Sequence, residues 1–298
     1  MSDSAASLAR QIGSAGDLQS VVRTMKAVAA SSIGQYERSV LALADYSRTV
    51  ELGLSVCLRA SDRPTAVAMT NHAKRDEAIG AIVFGSDQGL VGQFNEVVAD
   101  FAEKTLAAAA GKTVEVWAVG ERVHARLVDA GVPVVGLFSV PNSVTGIAAL
   151  VGKIQIESEA RRAASEYSGV YVIHNRPKTG ALYEPVSQRL IPLDAQWEAN
   201  LAKRPWPTPV LPQVIGDTES ALRLMIREYL FISLFQACAE SLASENASRL
   251  AAMQRADKNI DELMTHLNET YHRLRQSGID EELFDVISGF EALNATRK

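Results

Sequence analysis

Residues 84–95 read FGSDQGLVGQFN, and they follow the apolar run Ala78–Val83. Three glycines in a turn after an apolar strand is where α/β proteins often cradle a phosphate. Ser86, Asp87 and Asn95 supply a hydroxyl, a carboxylate and an amide in the same turn. A P-loop needs a Lys-Ser/Thr pair after its last glycine, but Gly92 is followed by Gln93-Phe94-Asn95. The dinucleotide fingerprint needs G-x-G-x-x-G, and glycines at 85, 89 and 92 do not fit it. No G-x-S-x-G elbow surrounds Ser86. The expected role of the turn is structural, a tight strand-to-helix connection. Histidines 72, 124, 174, 266 and 272 lack zinc-ligand spacing and have no cysteine partners, so surface or capping roles are expected. Cys57 and Cys238 are too few for a disulfide framework or a metal cage. No catalytic constellation, cofactor site or metal site is read from these residues.

The elements around the turn follow from punctuation. All ten prolines lie between Pro64 and Pro212. Proline breaks helix interiors, so segments 1–63 and 213–298 are expected to be long helical arms around a middle domain, 64–212. The N-terminal arm carries a heptad line at Val22, Ala29, Tyr36, Leu43, Val50 and Cys57. A second line runs through Ile33, Val40 and Leu54, with Lys26 and Ser47 as polar interruptions. In the C-terminal arm Leu250, Asp257, Met264 and Tyr271 share one heptad position, and Met253, Ile260, Leu267 and Leu274 the other. Such paired lines describe a coiled-coil seam. Asp257 either sets the register there or sits solvated where the helix is unpaired.

With Asp217 near the N-cap and Gly278 as its end, the second helix would hold about 60 residues, roughly 90 Å at ~1.5 Å each. Asp280-Glu281-Glu282 would then open a further, terminal helix. If the middle domain sits at one end, the arms are antiparallel, and the end of the longer arm protrudes alone. The implied shape is a shaft.

The middle domain alternates strand and helix signals. Strands are expected over 79–85, 113–119, 132–136, 169–175 and 182–193; helices over 95–110, 121–130 and 143–165. The last two strands form a hairpin through Arg176-Pro177-Lys178-Thr179-Gly180, which gives a mostly parallel sheet with an antiparallel edge. AKRPWPTPVLPQVIGD is a connector without helix or strand. The fold class is therefore α/β: an antiparallel coiled coil of the terminal helices with an inserted, mostly parallel sheet domain.

Composition narrows the function classes. Hydrophobic residues make up 47% of the chain and aromatics 6%, which suits long helices packed closely. The net charge of −5 supplies no basic field for nucleic acid. YLFISLFQACA (229–239) is about half the roughly 20 residues of a membrane span and reads as a buried helix segment. The N-terminal stretch has neither the apolar core of a signal peptide nor the Arg-rich character of a transit peptide.

Three segments resemble the gamma subunit, the central stalk, of F-type rotary ATP synthases. LQSVVRTMKAVAAS (18–31) is similar to the family's helix leading through a Met into V-A-A-S. SDQGLVGQFN (86–95) is similar to its S-D-x-G-L-C-G-x-x-N loop, with Val91 where cysteine is common. ESLASENASRLAAMQRADKNIDEL (240–263) and YHRLRQSGIDEELFDVISGFEAL (271–293) follow its C-terminal motif almost continuously. VSQRLIPL (186–193) is similar to the strand closing the middle domain.

The resemblance implies a non-catalytic rotor coupling ion flow through a membrane ring to ATP synthesis or hydrolysis in an alpha/beta hexamer. Implied partners are the alpha and beta subunits, an epsilon-type stalk subunit and the c-ring, without nucleic acid or direct membrane insertion. Met25 matches the Met lying against the moving lever of the catalytic subunit. Arg275, Gln276, Asp280 and Glu282 match positions at the hexamer's catch loops. Leu283, Val286, Ile287, Phe290 and Leu293 match the tip inside an apolar bearing. Ser86, Asp87, Gly89, Gly92 and Asn95 match the foot loop, which holds no nucleotide in the family. A peripheral location on the cytoplasmic face of a bacterial inner membrane is expected.

The chain departs from the pattern at Ser32-Ile33-Gly34-Gln35, where a lysine usually follows V-A-A-S, and at Asp280, where threonine is usual. TPVLPQVIGD also lacks the aromatic-acidic stretch typical of the foot. A divergent branch with altered foot partners is the expectation. The alternative is a free-standing α/β enzyme dimerised by its helical arms.

Overall fold

The computed structural model describes residues 4–60, 78–108, 113–164, 167–191, 193, 195–210 and 212–295. The expected boundary between 63 and 64, and the expected helix ends at 110 and 165, lie outside these residues. In chain order the elements are α1 (Ala5–Ala60), β1 (Ala78–Phe84), α2 (Phe94–Ala107), β2 (Val114–Val119), α3 (Glu121–Asp129), β3 (Val134–Phe138), α4 (Val144–Ala164), β4 (Tyr167–Lys178), β5 (Ala181–Ile191), α5 (Ala195–Ala202) and α6 (Thr218–Ala295). Two compact units emerge. One joins residues up to 28 with those from 250 onward, and the other comprises Ala29–Arg249.

In the larger unit the sheet order is β3-β2-β1-β4-β5. β1 pairs in parallel with both β2 and β4, β2 pairs in parallel with β3, and β5 returns antiparallel to β4. β1 is central and covered on both faces, so all seven residues of AIGAIVF are buried. Alternation then sorts its side chains. Ile82 and Phe84 join Trp117, Val119 and Ile147 of α4 on one face, together with Tyr36 of α1 and Leu234, Cys238 and Leu242 of α6. Ala81 and Val83 face the opposite way, toward Val98 and Ala102 of α2 and Val123 and Leu127 of α3. Burial raises the Cys238 thiol well above its ordinary pKa, so it is a core residue and not a nucleophile.

The hairpin is tighter than expected. β4 continues through Lys178, leaving Thr179-Gly180 as the turn, with Gly180 at φ +83°. Arg176 and Lys178 extend the pairing by holding Glu184 across the strands at 2.8 and 2.6 Å. Pro177 lies beyond the β1 pairing, which ends at Ile173, and at the register shift between Arg176 and Lys178 in the β4–β5 ladder, a position where proline is tolerated.

A short helix that local patterning did not reveal lies directly before the connector. α5 is eight residues long, held by Trp197 against Tyr229 (ring centroids 4.8 Å) and by Leu201 in a cluster with Leu54, Leu222 and Ile226. Asp217 caps α6 as expected, its carboxylate accepting the Ser220 N–H at 2.9 Å. Hydrogen bonds from the side chain and backbone of Ser220 lower the Asp217 pKa.

Gly278 does not end that helix. α6 runs unbroken through 78 residues, so Asp280-Glu281-Glu282 lie within it and not at a helix N-terminus. One glycine costs a helix only about 1 kcal/mol, and neither a proline nor a capping turn follows to stop it.

The heptad reading is met over most of the seam, but Ile33, Val40, Leu43, Leu250, Met264 and Tyr271 are only half-buried and Leu274 is exposed. Val22, Ala29, Tyr36, Val50, Leu54 and Cys57 are buried on α1, as are Met253, Ile260 and Leu267 on α6. In the smaller unit Gln19 meets Asp261 while Lys26 meets Asp257, so the helices run antiparallel there. In the larger unit Tyr46 meets Glu228 and Leu54 meets Leu222, again antiparallel. The stretch 229–239 is a largely buried segment of α6. Among the described residues no helix is long and apolar enough to cross a membrane.

Candidate functional sites: the glycine loop and the end of α6

The loop from Gly85 to Gln93 leaves the C-terminal end of β1, where open parallel sheets usually bind their ligands. Here the polar groups are spent on the protein itself. Ser86, fully buried, donates its N–H to Asn95 Oδ1 at 3.0 Å and accepts Asn95 Nδ2 on Oγ at 2.9 Å. Its hydroxyl then donates to the Gln88 carbonyl at 2.8 Å. Asp87 accepts the Glu121 N–H on Oδ1 at 3.0 Å and the Val140 N–H on Oδ2 at 2.9 Å. One carboxylate thereby caps α3 and ties together the turns after β1, β2 and β3.

Glycine is required at two points around this knot. Gly120 adopts φ +118°, and a Cβ there would lie 2.8 Å from the Ser86 backbone. A Cβ on Gly85 would lie 2.3 Å from Val123 Cβ. Gly92 has φ +57°, whereas Gly89 is under no such constraint and Leu90 takes the left-handed conformation beside it at φ 62°.

The floor of the crevice is also filled. Phe94 is fully buried against the Tyr183 ring edge-on at 5.4 Å, and its carbonyl accepts Asn175 Nδ2 at 2.9 Å. Ser248 of α6 donates its hydroxyl to the Val91 carbonyl at 2.5 Å. Val91 itself is buried where the resembling family often has cysteine.

Beside the loop lies a polar cleft of about 300 Å³, lined by Ser32 and Tyr36 of α1, Asp87 and Gln88, Asn142, and Glu245, Asn246 and Arg249 of α6. Glu245 and Arg249 form a buried pair at 2.6 Å. Burial pushes the Glu245 carboxyl above its ordinary pKa, against the pull of Arg249. His174 is a second buried group that spacing did not reveal. It is 3% exposed, contrary to the surface or capping role expected of it, and its Nε2 lies 2.8 Å from Glu240 Oε2. Burial pushes Glu240 up, but hydrogen bonds from His174 and from Gln236 outweigh it and leave its pKa lowered.

The smaller unit carries the remaining expected residues. Met25 is half-buried against Val22, Met253 and Ile260. Asp257 is paired, which decides between the two readings of its place in the seam: Lys26 Nζ lies 2.7 Å from Oδ2 and Arg23 Nε 3.3 Å from Oδ1. Hydrogen bonds from Lys26 first, and from Arg23, hold its carboxyl below the usual range. Arg275, Gln276, Asp280, Glu282 and Val286 are all exposed along the end of α6. Met25 sits beside Met253 and Ile260, and Ile260 is itself about four helical turns before Arg275, so those positions form no single cluster. Phe290 and Leu293 belong to α6, but their side chains lie outside the described residues.

From Arg273 to Ser288 every residue is exposed except Gly278, which is half-buried. These include Ile279, Leu283 and Ile287, each four residues after the last, and Val286 three after Leu283, all on one face. Among the described residues no group of three or more potential metal ligands occurs.

The family model described as ATP synthase matches residues 4–293. The chain belongs to the ATP synthase family. Curated relatives include ATP synthase gamma chains. The ATP synthase gamma chain of Rhizobium johnstonii is 28% identical over 293 residues, covering 96% of this chain and 98% of the relative. That of Zymomonas mobilis is 26% identical over 294 residues, with 96% and 98% covered. Two solved structures share the fold. A chain of the Euglena gracilis mitochondrial ATP synthase superposes with TM-score 0.63 at 15% identity, covering 98% of this chain and 95% of that one. A chain from the central stalk and c-ring of the Tetrahymena thermophila mitochondrial enzyme gives 0.55 at 21%, covering 79% and 99%. This ATP synthase chain thus has the two-helix and sheet architecture of a gamma, central-stalk subunit.

Proposed function

We propose that this central-stalk subunit works as a rotor without a catalytic site of its own, coupling ion flow through a membrane ring to the chemistry of an alpha/beta hexamer. The observation that carries this reading is the bare end of α6. Exposed apolar residues recurring at helical spacing on an otherwise charged helix call for a surface to pack against. An apolar sleeve in the hexamer would receive Leu283, Val286, Ile287 and Phe290. Arg275, Gln276, Asp280 and Glu282 would meet its catch loops, and Met25 the moving lever of a catalytic subunit.

A single helix pair cannot offer the same surface to three identical catalytic subunits. Each subunit therefore meets different contacts, and those differences bias its opening and closing. Rotation carries the bias around the ring. The glycine loop supports the non-catalytic part of this reading, because Ser86, Asp87 and Asn95 spend their hydrogen bonds internally. A free-standing enzyme would need such groups open at the strand ends.

The middle domain, 64–212, is the foot in this scheme, facing the c-ring and an epsilon-type subunit, with 1–63 and 213–298 as the arms. Its connector departs from the family pattern, which supports altered foot contacts. The complex would lie peripherally on the cytoplasmic face of a bacterial inner membrane.

Reconstitution tests the reading. The purified chain is mixed with alpha and beta subunits from the same organism, and ATP hydrolysis is measured for the isolated complex and for each component. Hydrolysis that depends on this chain, itself inactive, is expected. Failure to associate, or ATPase activity in this chain alone, would overturn it.

A further inference from the structure

The contact between α6 and the sheet in the larger unit combines two kinds of interaction with different mechanical properties. Much of it is apolar, with Leu234, Ala237, Cys238, Ala239, Leu242 and Ala243 of α6 buried in the cluster over the sheet. Apolar burial is non-directional, so by itself it specifies the helix's position less sharply than a hydrogen bond does. Hydrogen bonds interrupt it, including one between Tyr229 and Gln188 of β5, and two further ones reach β4 and the glycine loop. Glu240 bonds His174 on β4 at 2.8 Å, and its other oxygen accepts Gln236 Nε2 at 2.7 Å. Ser248 donates to the Val91 carbonyl in the glycine loop at 2.5 Å, and its side chain also meets Tyr183 of β5.

The two contacts are eight residues apart on α6, about 12 Å along its axis and roughly 80° around it. Separation along the axis resists tilting, and separation around it resists rolling. The loop end of the second contact is itself immobilised, since Asn175, next to His174 on β4, holds the Phe94 carbonyl at 2.9 Å. Both contacts therefore trace back to adjacent residues of one strand.

We propose that this joint, Ser248 on the Val91 carbonyl and Glu240 on His174, is the torque-bearing connection between the sheet domain and α6, with these side chains acting as positioning residues. The proposal rests on the rotor reading. It gives the glycine loop a purpose: it is the socket into which α6 is keyed. Hydrogen bonds fix a direction that apolar burial alone leaves less sharply defined.

The test uses the whole complex assembled in sealed vesicles, with ATP hydrolysis and ATP-driven ion uptake measured on the same preparation. In the double variant Ser248→Ala/Glu240→Leu, hydrolysis should stay within about twofold of the unmodified complex while ions moved per ATP fall severalfold. Ser248→Thr/Glu240→Gln, which keeps hydrogen-bonding groups at both places, should recover most of that ratio. An unchanged ratio in the double variant would overturn the proposal.

Hydrogen exchange on the isolated full-length chain provides an arm that needs no assembly. Ser248→Ala should speed exchange of the amides of residues 86–94 at least tenfold and leave those of β2 unchanged. No change, or a uniform change across the sheet, would overturn the joint. If the unmodified chain supports no coupled uptake at all, the rotor reading fails, and the exchange result still decides whether the keyed contact exists.

Discussion

Asp257 on α6 accepts Lys26 Nζ of α1 at 2.7 Å, so a polar interruption on one helix of the seam meets one on the other. A slip of one heptad would set Lys26 beside Leu250 or Met264, leaving an ammonium against an apolar side chain. The pair therefore selects one register. Asp257→Leu should lower the melting temperature of the isolated chain, because Lys26 and Arg23 lose their shared carboxylate. Adding Lys26→Leu should restore part of the loss. A double-mutant cycle by thermal unfolding gives the coupling, and strictly additive effects would show that the pair does not interact.

The same pair gives a pH dependence of definite sign. Lys26 holds the folded carboxyl below its unfolded value, so the contribution is present above about pH 4 and disappears as the pH falls through the lower, folded value. The melting difference between the unmodified chain and Asp257→Asn should be constant near neutrality and close in acid.

Glu245 runs the other way. Its folded pKa is raised by burial, so the folded chain holds a proton there that the unfolded chain releases. Its stabilising contribution is complete below the unfolded carboxyl pKa and is lost as pH rises through the folded one. Denaturant titrations from pH 4 to pH 8 should therefore show Glu245→Gln gaining stability relative to the unmodified chain as pH increases.

Asp87 caps two backbone N–H groups with one side chain. Asp87→Ala should cost about 1–3 kcal/mol in chemical unfolding, the range for losing a cap and leaving a donor unpaired. Asp87→Asn, which keeps one acceptor, should cost less. Gly120→Ala should cost at least as much as the alanine variant, since a left-handed backbone adds about 1–3 kcal/mol of strain and the new Cβ would strike Ser86.

Val286 is 69% exposed in the isolated chain. Val286→Asp should leave its melting temperature unchanged and weaken association with the alpha/beta hexamer at least tenfold, because the charge would enter an apolar sleeve. Unchanged assembly would show that this face stays in water.

The seam was legible from residue types because a coiled coil is a one-dimensional code: a period of seven places Val22, Tyr36, Met253 and Ile260 inward wherever the helices lie. Alternation of strand and helix signals likewise predicted the sheet, and the glycine spacing excluded the known phosphate cradles. Short-range rules failed where distant contacts decide. α5 is shorter than an isolated helix can sustain, and it exists because Trp197 and Leu201 find Tyr229 and Leu222. Gly278 looked like a stop, but a helix ends only where capping or proline makes ending favourable.

Composition, periodicity and motif order determined by themselves that two proline-free helices flank an α/β domain, and they carried the family resemblance. Only the tertiary structure decided what each polar residue in those elements does. Spacing along the chain cannot bring His174 to Glu240, Lys26 to Asp257, or Ser248 to the Val91 carbonyl, because each pair is separated by 66 to 231 residues. Burial makes those pairings matter: a polar group removed from water must find a partner, and the fold alone determines which one is in reach.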